Sequence, residues 1–438
     1  MIKNKYDMVV VGAGPGGLMA AKTAAEDGLS VLLLDMKRDI PRVDRSCCTM
    51  LINEPSTHGE NCSIVNNNIK YEKLGLEVKY KGQWAKLEQS IRIAPNGKKI
   101  VIANPGGVSI AYNKEVLLDG LLTEAIALGV DVLPETFVLR AENIKKDEAR
   151  VFFRGCHSRA IKEVRAKTVI AADGVNSQIV MGLEMAKARK FYVTFHVGSY
   201  FLAGTKIPFP PSFITFIGKG HTPEGGGQLY LLYKHLRDAK PGDEPIVDIM
   251  FASTIGGSTK RRLDWFMKNG PFKHWFEGSE VVHTAAATLN FYTCLVPPVE
   301  GNIIAVGDSA SFIETYCQGA MMYGYKAAKA AAKHQSTGCG YDEYSKFWYD
   351  TFEYCWPGEI DKALKGYAIG ALGNDEVNYL FSLTDNEVYD GYVSENTAPA
   401  VMKNAIMSKM DQIKRERPDI AEKLLTYYGK AKVEEVVD

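Results

Sequence analysis

The sequence predicts an α/β fold: a discontinuous Rossmann-like domain, an inserted β-sheet domain, and a helical C-terminal region. Three observations predict it. The chain opens on an apolar strand, a glycine turn, an alanine-rich helix and a second apolar strand within about 35 residues, the βαβ unit of doubly wound sheets. Its middle is rich in aromatic, strand-like segments. Its last hundred residues are mostly of helical pattern and rich in tyrosine.

The elements follow in order. Tyr6 to Val11 reads as a buried parallel strand, Pro15 to Glu26 as a helix stopped by Gly28, and Ser30 to Asp35 as the second strand. Lys37 to Asn68 breaks into polar loops, and Leu76 to Ala103 alternates like strands with turns at Gly82 and Asn96-Gly97. Apolar residues at 117, 118, 121, 122, 125 and 126 give Lys114 to Leu128 helical spacing, and Gly129 ends it. Strands are expected near Val130–Leu133, Arg150–Phe153, Thr168–Ala172, Phe191–Ile217, Gln228–Lys234 and Pro245–Ala252. Arg262–Phe276 reads as a helix, Val296–Asp308 as a strand and Gln318–Lys333 as a long alanine-rich helix. The expected division gives the Rossmann-like domain residues 1–75, 105–185 and 291–335. The inserted sheet takes 76–104 and 186–290, and the helical region takes 336–438.

Composition narrows the function. Fifty-two Lys and Arg balance fifty-two Asp and Glu, so no broad basic face for nucleic acid is expected. The eight cysteines include no Cys-x-x-Cys pair, and the histidines at 196, 221, 235, 274 and 283 show no ligand spacing, so no metal site is expected. With no signal-peptide layout at Met1–Asp7 and no apolar run of about 18 residues, a cytoplasmic protein without a membrane span is expected, peripheral membrane contact remaining open. The tail residues Val401, Met402, Ile406, Met407, Met410 and Ile413 have helical spacing suited to core packing, a homodimer contact or a lipid-facing groove.

The chemistry centres on Gly12-Ala13-Gly14-Pro15-Gly16-Gly17, a G-x-G-x-x-G turn between strand and helix. Gly12 permits the tight turn, Gly14 lets backbone approach a pyrophosphate, and Gly17 allows close helix–strand packing. The helix N-terminus offers free N–H groups to phosphate. Asp35 ends the next strand, where a carboxylate can accept from ribose hydroxyls.

Ile170-Ala-Ala-Asp173-Gly174 and Gly301-Asn-Ile-Ile-Ala-Val-Gly307-Asp308 each follow a strand. With the glycine turn, in this order and spacing, the chain resembles the p-hydroxybenzoate-hydroxylase-like superfamily of FAD enzymes to about residue 335, and within it the geranylgeranyl reductase group. The resemblance implies that FAD is held by Gly12, Gly14, Pro15, Gly16, Gly17, Asp35, Met36, Arg45, Asp173, Gly174, Gly307, Asp308, Gly319 and Ala320. Asp308 would meet the ribityl chain and Asp173-Gly174 would lie near the pyrophosphate. Read alone, the first is as well a helix cap and the second a turn.

The group's Arg-Cys-Gly-like segment corresponds to Arg45-Ser46-Cys47-Cys48, which makes Cys47 and Cys48 candidates to face the flavin ring. Two half-buried structural thiols are the alternative. The group's Pro-x-x-Gly-x-Gly turn is altered: Thr315 replaces proline and only Gly319 remains of the glycine pair. This departure brings Glu314 and Tyr316 to the expected ring position, and Tyr316 is a candidate proton donor or a packing residue. Tyr230 and Tyr233 fall where the reductases have Tyr-x-Trp-x-Phe-Pro, without its Trp and Pro.

The expected activity is hydride transfer between flavin N5 and a C=C bond of a small apolar or aromatic-derived substrate. Flavin-dependent monooxygenation and an electron-transfer partnership are the alternatives. No second glycine fingerprint is present, so the electron donor is either transiently bound NAD(P)H or a protein carrier.

Overall fold

In the computed structural model, residues 2–222, 227–240, 242–254, 259–366, 368–395 and 397–429 are described. The first sheet runs Asp131–Leu133, Val31–Leu34, Lys5–Val11, Lys162–Ala171, Glu148–Gly155, Thr136–Lys145, with Ile303–Ala305 joining the Lys162–Ala171 strand and pairing in turn with Val299–Glu300. Lys5–Val11 pairs in parallel with Val31–Leu34 on one side and Lys162–Ala171 on the other. Burial on both faces explains its unbroken Met8-Val-Val-Val11 run. Pro15 starts the helix Pro15–Glu26, where its missing N–H costs nothing.

That helix lies against the long helix Tyr316–Thr337 at very short range. A Cβ on Gly324 would stand 2.1 Å from the carbonyl oxygen of Gly16, and one on Gly16 would stand 3.0 Å from that of Ala320. Glycine and alanine on both helices are what allow the approach. Gly338, with φ +80°, closes the long helix in the left-handed conformation.

The second sheet runs Glu280–Tyr292, Phe191–Ala203, Ile246–Ser253, Gln228–Lys234, Ser212–Phe216, Gln89–Ile93, Lys99–Ala103, Val388–Asp390. Its last strand comes from the C-terminal region and pairs in parallel with Lys99–Ala103. Behind the sheet, Met402, Ile406, Met410 and Ile413 pack with Ile100, Val377, Leu380 and Phe381, so these tail residues form core. No described helix is long and apolar enough to cross a membrane. No metal-ligand grouping occurs among the described residues.

Three expectations change locally. The polar stretch 37–68 holds strands Met50–Leu51 and Cys62–Val65; the latter pairs with Asn68–Tyr71 around Asn66-Asn67, both at positive φ. That is the two-residue hairpin turn that asparagine tolerates. The helix expected over 262–276 stops at Asn269, because Gly270-Pro271 cannot continue it, and the chain resumes as a short 3-10 turn, Lys273–Phe276. The strand over 296–308 divides at Gly301, where φ is +59°.

His221 sits in an aromatic nest with Phe216, Phe266 and Phe272 and is only 2% exposed, with Nε2 against the carbonyl of Ile217. Burial pulls its pKa down to about 4. The unfolded chain therefore takes up a proton before the folded one, and stability falls as pH drops from about 6.5 towards 4. The expected loss approaches roughly 3 kcal/mol at the acid end. Denaturant melts at pH 7 and 4.5 should show His221→Phe losing less stability than the native chain over this window.

Candidate active site

The glycine turn is built from backbone contacts that leave no room for side chains, except in one place. Gly12 has φ +95°, and a Cβ there would lie 2.3 Å from the carbonyl oxygen of Ala172; one on Gly17 would lie 1.8 Å from that of Gly12. A Cβ on Gly14 meets nothing within 4 Å. Gly14 also occupies the N-cap with no side chain capping the helix, so the first-turn N–H groups have no partner within it. An open cradle beneath a helix N-terminus is what a pyrophosphate requires. The residues therefore fit a dinucleotide.

Asp35, buried at the end of its strand, accepts from Ala13 N at 2.6 Å through Oδ2 and from Lys37 N at 2.7 Å through Oδ1. It thus holds the turn in shape, and each oxygen keeps a second lone pair for a ribose hydroxyl. Met36 beside it is exposed. Across the sheet, Gly174 has φ +83°, and the Arg45 guanidinium is 3.2 Å from where its Cβ would be. Arg45 and Asp173-Gly174 are therefore neighbours. Asp173 itself accepts from Ser177 Oγ at 2.5 Å and from Gln178 N at 2.8 Å, the contacts of a helix cap.

Asp308 accepts from both the amide and the hydroxyl of Thr315, at 3.1 and 3.2 Å. A proline could supply neither donor, which gives the departure at Thr315 a structural role. Tyr316 then begins the long helix with φ +50°, a strained conformation for an aromatic residue. Its hydroxyl accepts from Glu395 N at 3.1 Å. Gly307, with φ +68°, and Ala320 stand side by side, since a Cβ on Gly307 would lie 3.6 Å from that of Ala320.

The two cysteines approach the same helix start from the other side. Ser46 is tied to the second sheet through Ser199 Oγ, at 3.0 Å, and Ala286 O. Lys114 Nζ donates to Cys47 Sγ at 3.3 Å, and Lys234, ion-paired with the fully buried Asp248, donates to the Cys47 carbonyl. Burial raises the Cys47 thiol, but the Lys114 and Lys234 charges outweigh it and leave the pKa below the ordinary value. Burial, and next Glu314, drives Cys48 the opposite way. Glu314 is pushed well above the carboxylate range by burial and by Cys47, Asp308 and Glu395, with Lys114 opposing. Burial likewise raises Tyr316. Cys48 and Tyr316 also border an apolar cluster of Ile52, Leu87, Val197, Phe213, Leu232 and Met250, which lies under the second sheet.

Several residues here carry no local sequence signal. Lys114 and Lys234 hold Cys47 from a helix start and a strand end. His58, buried and at φ +51°, bonds Glu353 at 3.0 Å and fills the space that Gly319 leaves, since a Cβ there would lie 2.6 Å from its ring. Arg189 donates to the carbonyls of Thr293, Ser309 and Ser311, strapping the Gly307-Asp308 segment down.

Comparison with known proteins finds similar chains and similar folds. Residues 6–121 match the pyridine nucleotide-disulphide oxidoreductase family. A digeranylgeranylglycerophospholipid reductase of Methanosarcina mazei is 27% identical over 403 residues, covering 88% of this chain and 90% of its own. Digeranylgeranylglycerophospholipid reductase 2 of Methanopyrus kandleri is 25% identical over 94% of this chain and 98% of its own. Among solved structures, a geranylgeranyl bacteriochlorophyll reductase-like protein of Thermoplasma acidophilum superimposes with a TM-score of 0.66 at 18% identity, covering 97% and 99% of the two chains. A p-nitrophenol 4-monooxygenase of Pseudomonas putida does so at 0.62 and 14% identity, over 96% and 99%. The chain is an FAD-dependent oxidoreductase; its sequence is similar to digeranylgeranylglycerophospholipid reductases, and it shares the fold of the geranylgeranyl reductase-like and monooxygenase structures.

Proposed function

We propose that the protein reduces C=C bonds in a largely apolar substrate, with unsaturated isoprenoid chains on a glycerolipid as the first class to test. The observation that carries this reading is the placement of Cys47, Cys48, Glu314 and Tyr316 around one helix start, bordered by an apolar cluster. FAD, when bound, supplies the hydride chemistry. The first-turn N–H groups and Gly14 would hold its pyrophosphate, Asp35 its ribose, and Arg45 would lie beside the turn at Gly174. The helix N-terminus would favour negative charge on the reduced ring.

The residues of the chain then have to exclude water and deliver a proton. Ile52, Phe213, Leu232 and Met250 supply the dry wall. Glu314 is the proton donor in this reading, because its raised pKa keeps it protonated where an ordinary carboxyl would be ionised. Tyr316 holds its proton more tightly still and orients the site through Glu395. Lys114 and Lys234 favour the deprotonated form of Cys47 over the ordinary thiol balance.

Anaerobic incubation of the dithionite-reduced protein with such a lipid in detergent tests the reading. Mass spectrometry should find two hydrogens added per reduced bond. The solved monooxygenase of the same fold makes oxygenation the second reading. A product that forms only in air and has gained oxygen would replace the first by the second.

A further inference from the structure

One buried histidine lies against the start of the long helix Tyr316–Thr337. His58 is 2% exposed and stands in the loop between the strands Met50–Leu51 and Cys62–Val65. Its ring centroid is 5.5 Å from that of Tyr316, 6.1 Å from Tyr323 and 5.3 Å from Phe352. The two ring nitrogens differ in their surroundings. Nδ1 bonds a carboxylate oxygen of Glu353 at 3.0 Å. Nε2 is buried and has no hydrogen-bond partner among the described residues. That edge of the ring faces the first turn of the helix, since a Cβ on Gly319 would lie 2.6 Å from Cδ2 of His58, 3.1 Å from its Nε2 and 3.4 Å from Cβ of Thr315.

An imidazole that donates Nδ1–H to a carboxylate keeps a lone pair on Nε2 and can take a proton there, with the carboxylate balancing the charge. Burial opposes ionisation of Glu353, but the charge of His58 and the bond to it outweigh burial and hold the carboxyl below its ordinary range. The helix presents the phenols of Tyr316 and Tyr323 to the ring, and burial keeps both neutral. On the histidine's own loop, Lys73 donates to the carbonyl of Gly59 at 2.7 Å, and Glu60 accepts from the amides of Lys73 and Leu74. Glu353 is thus the carboxylate in direct contact with the imidazole.

We propose that His58, held by Glu353 with Nε2 turned to the first turn of the long helix, stores a proton when the cofactor is reduced. The proposal rests on the flavin ring lying at this helix start, and it is independent of the lipid. A reductant supplies two electrons; one proton goes to the ring, which becomes anionic, and a second goes from solvent to Nε2 of His58. Two electrons and two protons enter together, so the buried site gains no net charge. An uncompensated charge there would be costly, and the stored proton therefore favours the reduced state.

Spectroelectrochemical titration of the FAD-loaded protein between pH 5.5 and 9.5 tests this without any substrate. At the acid end the native protein should favour reduction over His58→Asn and Glu353→Gln by about tenfold, or ~30 mV for a two-electron couple. The gap should close as pH rises and His58 no longer gains the proton. Asparagine tolerates the φ of +51° at position 58. Glu353→Gln keeps the shape and a hydrogen-bonding group, so it reports alone should His58→Asn fail to fold. A histidine that only fills the space beside Gly319 would give an offset independent of pH, and that result overturns the proposal. Equal potentials in native protein and variants at every pH overturn it as well, leaving the flavin assignment intact. Native protein that binds no FAD overturns that assignment and this proposal with it.

Discussion

Gly14→Val is expected to yield a folded protein that purifies without FAD. The backbone at Gly14 has φ −73° and ψ −178°, which valine adopts, and the space around the new Cβ is open to 4 Å. The added branches occupy the cradle in which the pyrophosphate would lie, while the protein loses only about 1 kcal/mol from the weaker N-cap. Far-ultraviolet circular dichroism should match the native protein, and the flavin band near 450 nm should vanish, with FAD affinity down by more than about 100-fold. Gly17→Val forms the contrast. Its Cβ falls 1.8 Å from a carbonyl oxygen, so that variant should fail to accumulate as folded protein. Full flavin retention in Gly14→Val would remove the dinucleotide assignment at this turn.

Glu314→Gln should slow substrate reduction by about 100-fold or more, the usual contribution of a positioned general acid. The carboxyl is surrounded by Cys47, Asp308 and Glu395 as negative neighbours and by Lys114 as a cation, with Cys48, Tyr230, Tyr316 and Tyr354 close by. Because its pKa is raised, the active protonated form prevails at low pH and is lost as pH rises through the shifted value. Turnover should therefore fall towards alkaline pH in the native protein, and the limb assigned to Glu314 should be missing in the variant. Single-turnover rates from pH 5 to 10 measure both. Equal rates and equal profiles would leave Glu314 without a role in proton delivery.

The parts of this site that are legible in the sequence are those fixed by local backbone demands. Gly12 and Gly17 announce themselves because close backbone approach excludes every side chain there, and Gly307 because its positive φ favours glycine. Asp35 directly follows the strand Val31–Leu34, and Asp308 lies in the turn Gly307–Ser309 just beyond the strand Ile303–Ala305, so both fall at set distances from strands that βαβ logic places. Lys114, Lys234, His58 and Arg189 are another matter. Each acts on a partner far along the chain: Lys114 on Cys47, His58 on Glu353, Arg189 on Ser309 and Ser311. Their neighbours in sequence say nothing of those partners, so a lysine at a helix start reads as ordinary solvated charge. The change from proline to Thr315 is legible as a departure, and its meaning emerges only when both Thr315 donors are seen on Asp308.

The strand Val388–Asp390 has a consequence for how the protein is made. It covers the edge of Lys99–Ala103, a partner nearly three hundred residues earlier, and Glu395 just beyond it reaches Tyr316. A ribosome releases residue 103 long before residue 388 exists, at about 5–20 residues per second. For roughly 15 to 60 seconds the nascent sheet keeps an unpaired edge containing Ile100, Val101 and Ile102. A message truncated before this strand would leave that edge open permanently, producing chains that hold the glycine turn yet associate through the uncovered strand.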